Sequence, residues 1–329
     1  MRRRELIRTL GGAALAWPLA VHAQQPERLR RVGVVIPFPE NDPSSQARVT
    51  AFAQELERLG WVEAKNIHID YRFAAGDRAL YRAYAAELVG LTPDAILASP
   101  TTAVAELRQL THTIPIVGVY LVDPVGLGFV RSLARPGGNI TGFSSFDAPM
   151  IGKWLQLLKE VAPSVTRVAM IFNPDMFLGS ALSFDPEIAA ARSFGVTATP
   201  APVRDDAAIE EVVAAQARQP GGGLITLPDS FNVTHRDVII AAAARHRLPD
   251  IGIDIFPRAG GLMSYWFDGV DLYAQAASYI DRILRGASPA DLPVQQPTKY
   301  LLIVNLKTAK ALGLTVPPNV LDIADEVIE

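Results

Sequence analysis

Residues 96–110, ILASPTTAVAELRQL, decide the fold. Ile96 to Ala98 continue an apolar run of strand length, which stops at Ser99-Pro100-Thr101-Thr102 as an amphipathic helical pattern begins. A strand that gives way directly to a helix is one βα unit. In an open parallel sheet the carboxyl ends of such strands are where ligands sit. Ser99, Thr101 and Thr102 bring hydroxyls to that end, and the first helical turn brings unpaired backbone N–H groups. These groups hold ligands well and catalyse poorly.

The same unit recurs along the chain. RVGVVIPF, NIHIDYRF, DAILASP, IPIVGVYLV and NITGFSSF form a first series of strands separated by helical patterns. TRVAMIF, TATPAPV, GGLITLP, PDIGIDIF and LMSYWF form a second series in the same order. Val32 corresponds to Val168, Pro115 to Pro249 and Ile140 to Leu262, an offset too long for a solenoid repeat and suited to two similar lobes. Between strands, Val49, Phe52, Leu56 and Leu59 share one helical face, with Gly60 placed to end the helix. Asp147 caps a further helix whose buried stripe is Trp154, Leu155, Leu158 and Val161. Beyond the tenth strand come a long amphipathic helix ending at Arg285-Gly286, a Pro-rich stretch, the strand KYLLIVN and the short helix LKTAKALG.

A chain of 329 residues, 49% hydrophobic and 20% charged, is enough for one large or two medium domains. Its first residues, MRRRELIRTLGGAALAWPLAVHAQQ, have a basic head, a short apolar stretch and small residues before Gln24, the layout of a cleaved export signal over 1–23. Arg3-Arg4 fits a twin-arginine route, and ordinary secretory signals also cluster arginines, so both routes stay open. Removing four arginines and one glutamate with that segment takes the formal charge from −3 to −6. Such an acidic chain is a poor nucleic-acid binder. With no cysteine it carries neither a disulfide nor a lipoprotein anchor, and it has no apolar stretch long enough to span a bilayer. A soluble, exported, periplasmic protein is expected.

The motifs of catalysis are missing. There is no Gly-x-Ser-x-Gly elbow and no Gly-x4-Gly-Lys phosphate loop, and GLGFVRSLARPGGN has Arg131 where a dinucleotide fingerprint needs its third glycine. His68, His112, His235 and His246 have no metal-ligand spacing and read as surface residues. No catalytic residue, metal or cofactor is expected.

What collects at the strand ends is acids, hydroxyls and rings, with lysine and arginine nearly absent. Phe38, Ser99, Thr101, Thr102, Tyr120, Asp123, Ser144, Phe172, Asp229, Asp254 and Trp266 are the candidate ligand-binding residues. Asp before Pro and Asp at helix starts are also ordinary turn and cap residues, which accounts for about half of these acids. The set suits a small zwitterion: a carboxylate on the N–H groups near Thr101 and Thr102, an ammonium on Asp123 or Asp229, a side chain against rings. An amino acid with an aromatic or branched side chain is the expected ligand.

RRVGVVIPF, ASPTTAVAELRQLTHTIPIVGVYLVDPVGLGFVRSLARPGGNITGFS, KWLQLLKEVAPSVTRVAMIFNP and YIDRILRGASPADLPVQQPTKYLLIVNLKTAKALGLTVPPNVL closely resemble the TrpX-like group of substrate-binding proteins of ABC importers. The resemblance spans essentially the whole chain after the export segment. It implies an α/β, type I periplasmic-binding-protein fold, two Rossmann-like lobes with parallel sheets joined by a three-crossing hinge. It also implies a small-molecule ligand captured by hinge closure and an ABC permease as membrane partner. The lobes are expected at 31–142 with about 262–288, and at about 143–261 with about 289–329. After GGLMSY the group commonly has glycine, whereas Trp266 and Phe267 follow here, and rings entering the cleft at that point narrow it. A monomer is expected. A solute receptor for a periplasmic sensor, and a periplasmic Asp-dependent enzyme, stay as alternatives.

Overall fold

The computed structural model describes residues 29–145, 148–176 and 184–329. The expected export segment 1–23, Phe146 and Asp147, the expected cap, lie outside them.

The first lobe is built from β1 (Arg30–Ile36), α1 (Pro43–Arg58), β2 (Ile67–Phe73), α2 (Arg78–Gly90), β3 (Ala95–Ala98), α3 (Thr101–Leu110), β4 (Ile116–Leu121) and β5 (Ile140–Ser144). Its strands form an all-parallel sheet in the order β2-β1-β3-β4-β5. Residues of β1, β3 and β4 are almost wholly buried, as continuous apolar runs covered on both faces must be.

The second lobe repeats this with α4 (Ala148–Val161), β6 (Arg167–Phe172), α5 (Asp185–Ser193), β7 (Thr197–Pro202), α6 (Asp206–Ala217), β8 (Gly222–Thr226), α7 (Ser230–Thr234), α8 (Arg236–Arg245), β9 (Asp250–Gly252), α9 (Ile255–Arg258) and β10 (Met263–Phe267). Here β7-β6-β8-β9-β10 stand in the same relative order as the five strands of the first lobe, the internal repeat made visible. Helix α10 (Gly269–Leu284) follows, then β11 (Tyr300–Asn305), α11 (Leu306–Leu312), α12 (Pro318–Leu321) and β12 (Glu326–Ile328). β11 pairs antiparallel with β10, and β12 adds an edge that the sequence reading did not anticipate. Trp154, Leu155, Leu158 and Val161 are buried as the helical stripe predicts.

Three crossings join the lobes: between Ser145 and α4, at Asp268, and between Gln295 and β11. Asp268 N–H donates to Lys299 O, and the Lys299 ammonium lies 2.7 Å from the Asp268 carboxylate, so the second and third crossings are tied together. The expected boundaries need correction. β10 is hydrogen-bonded between β9 and β11, so 263–267 belongs to the second sheet, and only α10 returns to pack on α1 and the first sheet. Residues 289–295 stay with the first lobe, where Ser144 N–H donates to Gln295 O and Val294 N–H to Leu133 O. A strand beside a crossing pairs in either sheet as far as its own pattern goes, and here its neighbours decide.

Candidate functional site

The strand carboxyl ends of the two lobes face each other across a cavity of about 610 Å3, its opening to solvent included. Phe38, Thr101, Thr102, Tyr120, Asp229, Asp254 and Trp266 line it, so seven of the eleven candidate residues converge there. Ser99, Asp123, Ser144 and Phe172 do not line it.

Each absence has a local cause. Asp123 turns the chain after β4 at φ +43°, its Oδ1 accepting from Gly126 N–H at 2.9 Å, which is the turn role open to an Asp before Pro. Ser144 Oγ donates to Gln295 O at the first crossing, and its neighbour Ser145 reaches the cavity instead. Phe172 packs on Phe184, ring centroids 4.8 Å apart. Ser99 is fully buried behind the site, and its peptide bond to Pro100 is cis.

Pro100 occupies the N-cap of α3 and supplies no capping side chain, which leaves the N–H groups of Thr101 and Thr102 without partners inside the helix. The hydroxyls of these two residues are committed elsewhere. Thr101 Oγ1 donates to Tyr120 O and accepts from Val122 N–H, both at 2.9 Å, while Thr102 Oγ1 donates across the cleft to Met176 O. The Thr101 hydroxyl thereby staples an irregularity in β4. Pairing with β5 slips between Gly118 and Leu121, and Tyr120 takes φ +63°, a conformation strained for a ring-bearing residue. The distortion swings Tyr120 into the cavity.

The cation of the site comes from α1. Arg48 is 3% exposed, and it donates from Nη1 to Ser44 O at 3.0 Å and from Nε to Tyr120 Oη at 3.1 Å, with its guanidinium over the Phe38 ring. Its Nη2 lies 3.2 Å from Asp254 Oδ2 on the opposite lobe. Burial opposes the charge on Arg48, but the Tyr120 hydroxyl and the Asp254 carboxylate more than offset it, and the guanidinium stays charged. Burial likewise raises the Tyr120 phenol, which therefore remains protonated and donates or accepts as a neutral group. The expectation that basic residues are nearly absent from the site is thus wrong in one decisive place. The available signal was spacing: Arg48 stands four residues before Phe52 and eight before Leu56, on the buried stripe of α1.

The two acids in the cavity differ. Both oxygens of Asp229 are held by backbone donors, Asn232 N–H at 2.7 Å and Asn173 N–H at 2.8 Å, so it caps α7 and ties it to β6. Burial pushes its carboxyl up to about 7, against the pull of the N–H groups of Asn232, Asn173 and Phe231. Asp254 shares Oδ2 between Arg48 and Arg258 Nη1 at 3.5 Å, whereas its buried Oδ1 has no hydrogen-bond partner. Trp266 enters the cavity wall and packs on Trp154 at 5.7 Å, while Phe267 turns to stack on Tyr120 at 5.4 Å. Of these two rings, Trp266 lines the cleft and Phe267 does not. Among the described residues no cluster of three His, Cys, Asp or Glu side chains is placed to hold a metal.

Residues 32–328 match the model of the family described as ABC transporter substrate binding protein. The chain belongs to that family. A tyrosine-binding protein of Clostridioides difficile is 25% identical over 274 residues, 83% of this chain and 78% of that one. A conserved domain protein of Vibrio cholerae shares 28% identity and superposes with a TM-score of 0.83 over 91% of this chain and 99% of its own. An ABC domain of Streptococcus pneumoniae solved with L-Trp shares 24% identity and the same TM-score, over 91% of this chain and 100% of its own. The fold and the TrpX-like resemblance read from the sequence hold for this substrate-binding protein, with two α/β lobes of mainly parallel sheet facing one cleft. No helix among its described residues is long and apolar enough to cross a membrane.

Proposed function

We propose that this substrate-binding protein is exported, captures a free amino acid with an aromatic or branched side chain between its lobes, and hands it to the permease of an ABC importer without chemical change. The observation that carries this reading is the division of charge across the cleft. Arg48 and the uncapped N–H groups of Thr101 and Thr102 belong to one lobe, and the carboxyl groups of Asp229 and Asp254 to the other. A zwitterion laid across the gap has its carboxylate on the first lobe and its ammonium on the second. The rings of Phe38, Tyr120 and Trp266 supply walls for an apolar side chain. Support also comes from the tyrosine named for one relative and the L-Trp bound to another.

Closure is the transduction step. A ligand that touches both lobes favours the closed arrangement by its differential affinity, and the permease reads that arrangement. A dissociation constant of about 1 μM, roughly 8 kcal/mol, is expected for the carrier.

Differential scanning fluorimetry of the chain lacking 1–23, stripped of carried-over ligand by partial unfolding and dialysis, tests the reading. Stabilisation by a subset of amino acids from a panel that includes sugars, aromatic acids and oligopeptides is expected. Stabilisation by sugars or inorganic anions alone would sink it.

A further inference from the structure

The Arg48–Asp254 pair raises a problem for any ligand. Both residues are 3% exposed, and they form an ion pair across the cleft. Removing one partner of a buried ion pair leaves an uncompensated charge in a low-dielectric site. A ligand that takes only Arg48 leaves Asp254 with Arg258 alone at 3.5 Å, and a ligand that takes only Asp254 leaves Arg48 with no carboxylate.

We propose that this protein selects its ligand by ion-pair exchange: the bound amino acid's carboxylate replaces Asp254 on Arg48, its ammonium replaces Arg48 on Asp254, and ligands with one charge are rejected. The inference rests on the amino-acid reading of the cleft and adds the residues and the rule of selection.

Three features equip the pair for exchange. Arg48 keeps two anchors on its own lobe when Asp254 is displaced, because Nε remains on Tyr120 Oη and Nη1 on Ser44 O, so Nη2 stays aimed at the cleft. Asp254 keeps Arg258, which is itself held by Glu326 of β12 at 2.7 Å. Asp254 Oδ1 is buried without a donor, a deficit that an ammonium with three N–H groups fills. Each partner is thus held by its own lobe when its contact with the other is exchanged. With the lobes together they meet each other directly, and a zwitterion between them meets both with its two ends.

Isothermal titration calorimetry on the chain lacking 1–23 tests this with L-tryptophan, L-tyrosine and L-leucine, each beside its deaminated acid and its decarboxylated amine. The best amino acid is expected to bind at least a hundredfold more tightly than either of its analogues. In the double variant Arg48→Met with Asp254→Leu, that preference is expected to shrink to threefold or less. Analogues within threefold of the amino acid on the unaltered protein overturn the exchange and leave the amino-acid reading intact. A preference that survives in the double variant overturns the assignment to this pair. Binding by none of the three amino acids overturns both readings together. The analogue series needs no substitution, so poor folding of the variant does not shield the proposal.

Discussion

Arg236 Nη2 on the second lobe lies 2.7 Å from Asp42 Oδ2 on the first, with both side chains largely withdrawn from water. Neither residue lines the cavity, and their neighbours in sequence Phe38 and Val233 do. Asp42 also caps α1 by accepting from Ser44 N–H at 2.8 Å, so the pair ties the start of α1 to the start of α8. Arg236→Ala leaves the cap in place and removes the tie. Its ligand affinity is expected to fall by roughly tenfold, about 1.4 kcal/mol, with a larger ligand-free radius of gyration by small-angle scattering. An unchanged dissociation constant would show that closure does not depend on this contact.

Gly76 stands where the lobes touch. Its φ is +71°, and a Cβ built there meets Ser230 O of the other lobe at 2.6 Å. A methyl group at this position strains the turn and props the lobes apart at once. Gly76→Ala is therefore expected to weaken ligand binding at least tenfold while lowering the melting temperature by only a few degrees, as read by titration calorimetry and thermal melts. Gly269 acts inside one lobe: a Cβ there collides with the Tyr120 hydroxyl and the Arg48 guanidinium. Gly269→Ala should abolish binding by displacing both.

Two buried acids set the pH dependence of stability. Asp229 and Asp250 are both pushed up to about 7 by burial, from about 3.8 in the unfolded chain. At these two positions the folded protein holds more protons than the unfolded one between those values, so the stability they contribute is full below about 4 and is lost as pH rises towards 7. Each group is expected to contribute on the order of 4 kcal/mol to that decline, about three pH units at about 1.36 kcal/mol each. Ligand-free melting temperatures should fall by several degrees from pH 5 to pH 8. Asp250→Asn, whose amide oxygen still accepts from Leu262 N–H, should flatten the slope, and an unaltered slope would remove Asp250 as a cause.

The same Asp229 reports on the ligand's charge. A cation entering the cavity it lines stabilises its ionised form and lowers its pKa, so an amino acid binding near pH 7 releases protons. Titration calorimetry in two buffers of different ionisation enthalpy measures that release directly. Equal heats in the two buffers would place the ligand's ammonium far from Asp229.

Trp266 supplies a spectroscopic handle, because it lines the cavity whereas Trp61 and Trp154 do not. Ligand binding is expected to change tryptophan emission, and Trp266→Phe should remove most of that change with a ligand that is not itself tryptophan. A full response in the variant would assign the signal to the Trp154 ring beside it.

The order of ten strands, the duplication and the helical stripes were all legible in the sequence, since alternating runs of strand and helix length leave a parallel sheet little choice. The strand-end rule likewise gathered Phe38, Thr101, Thr102, Tyr120, Asp229, Asp254 and Trp266, because a βα unit sends its carboxyl end to the ligand side whatever lies opposite. Only the tertiary structure decided which sheet claims β10, that Asp123 serves a turn, and that Arg48 leaves a helix stripe to meet Asp254 from the other lobe. The physical reason is range. Periodicity and turn chemistry act over a few residues, whereas the pairing of charges 206 positions apart is settled by two lobes closing on one cavity.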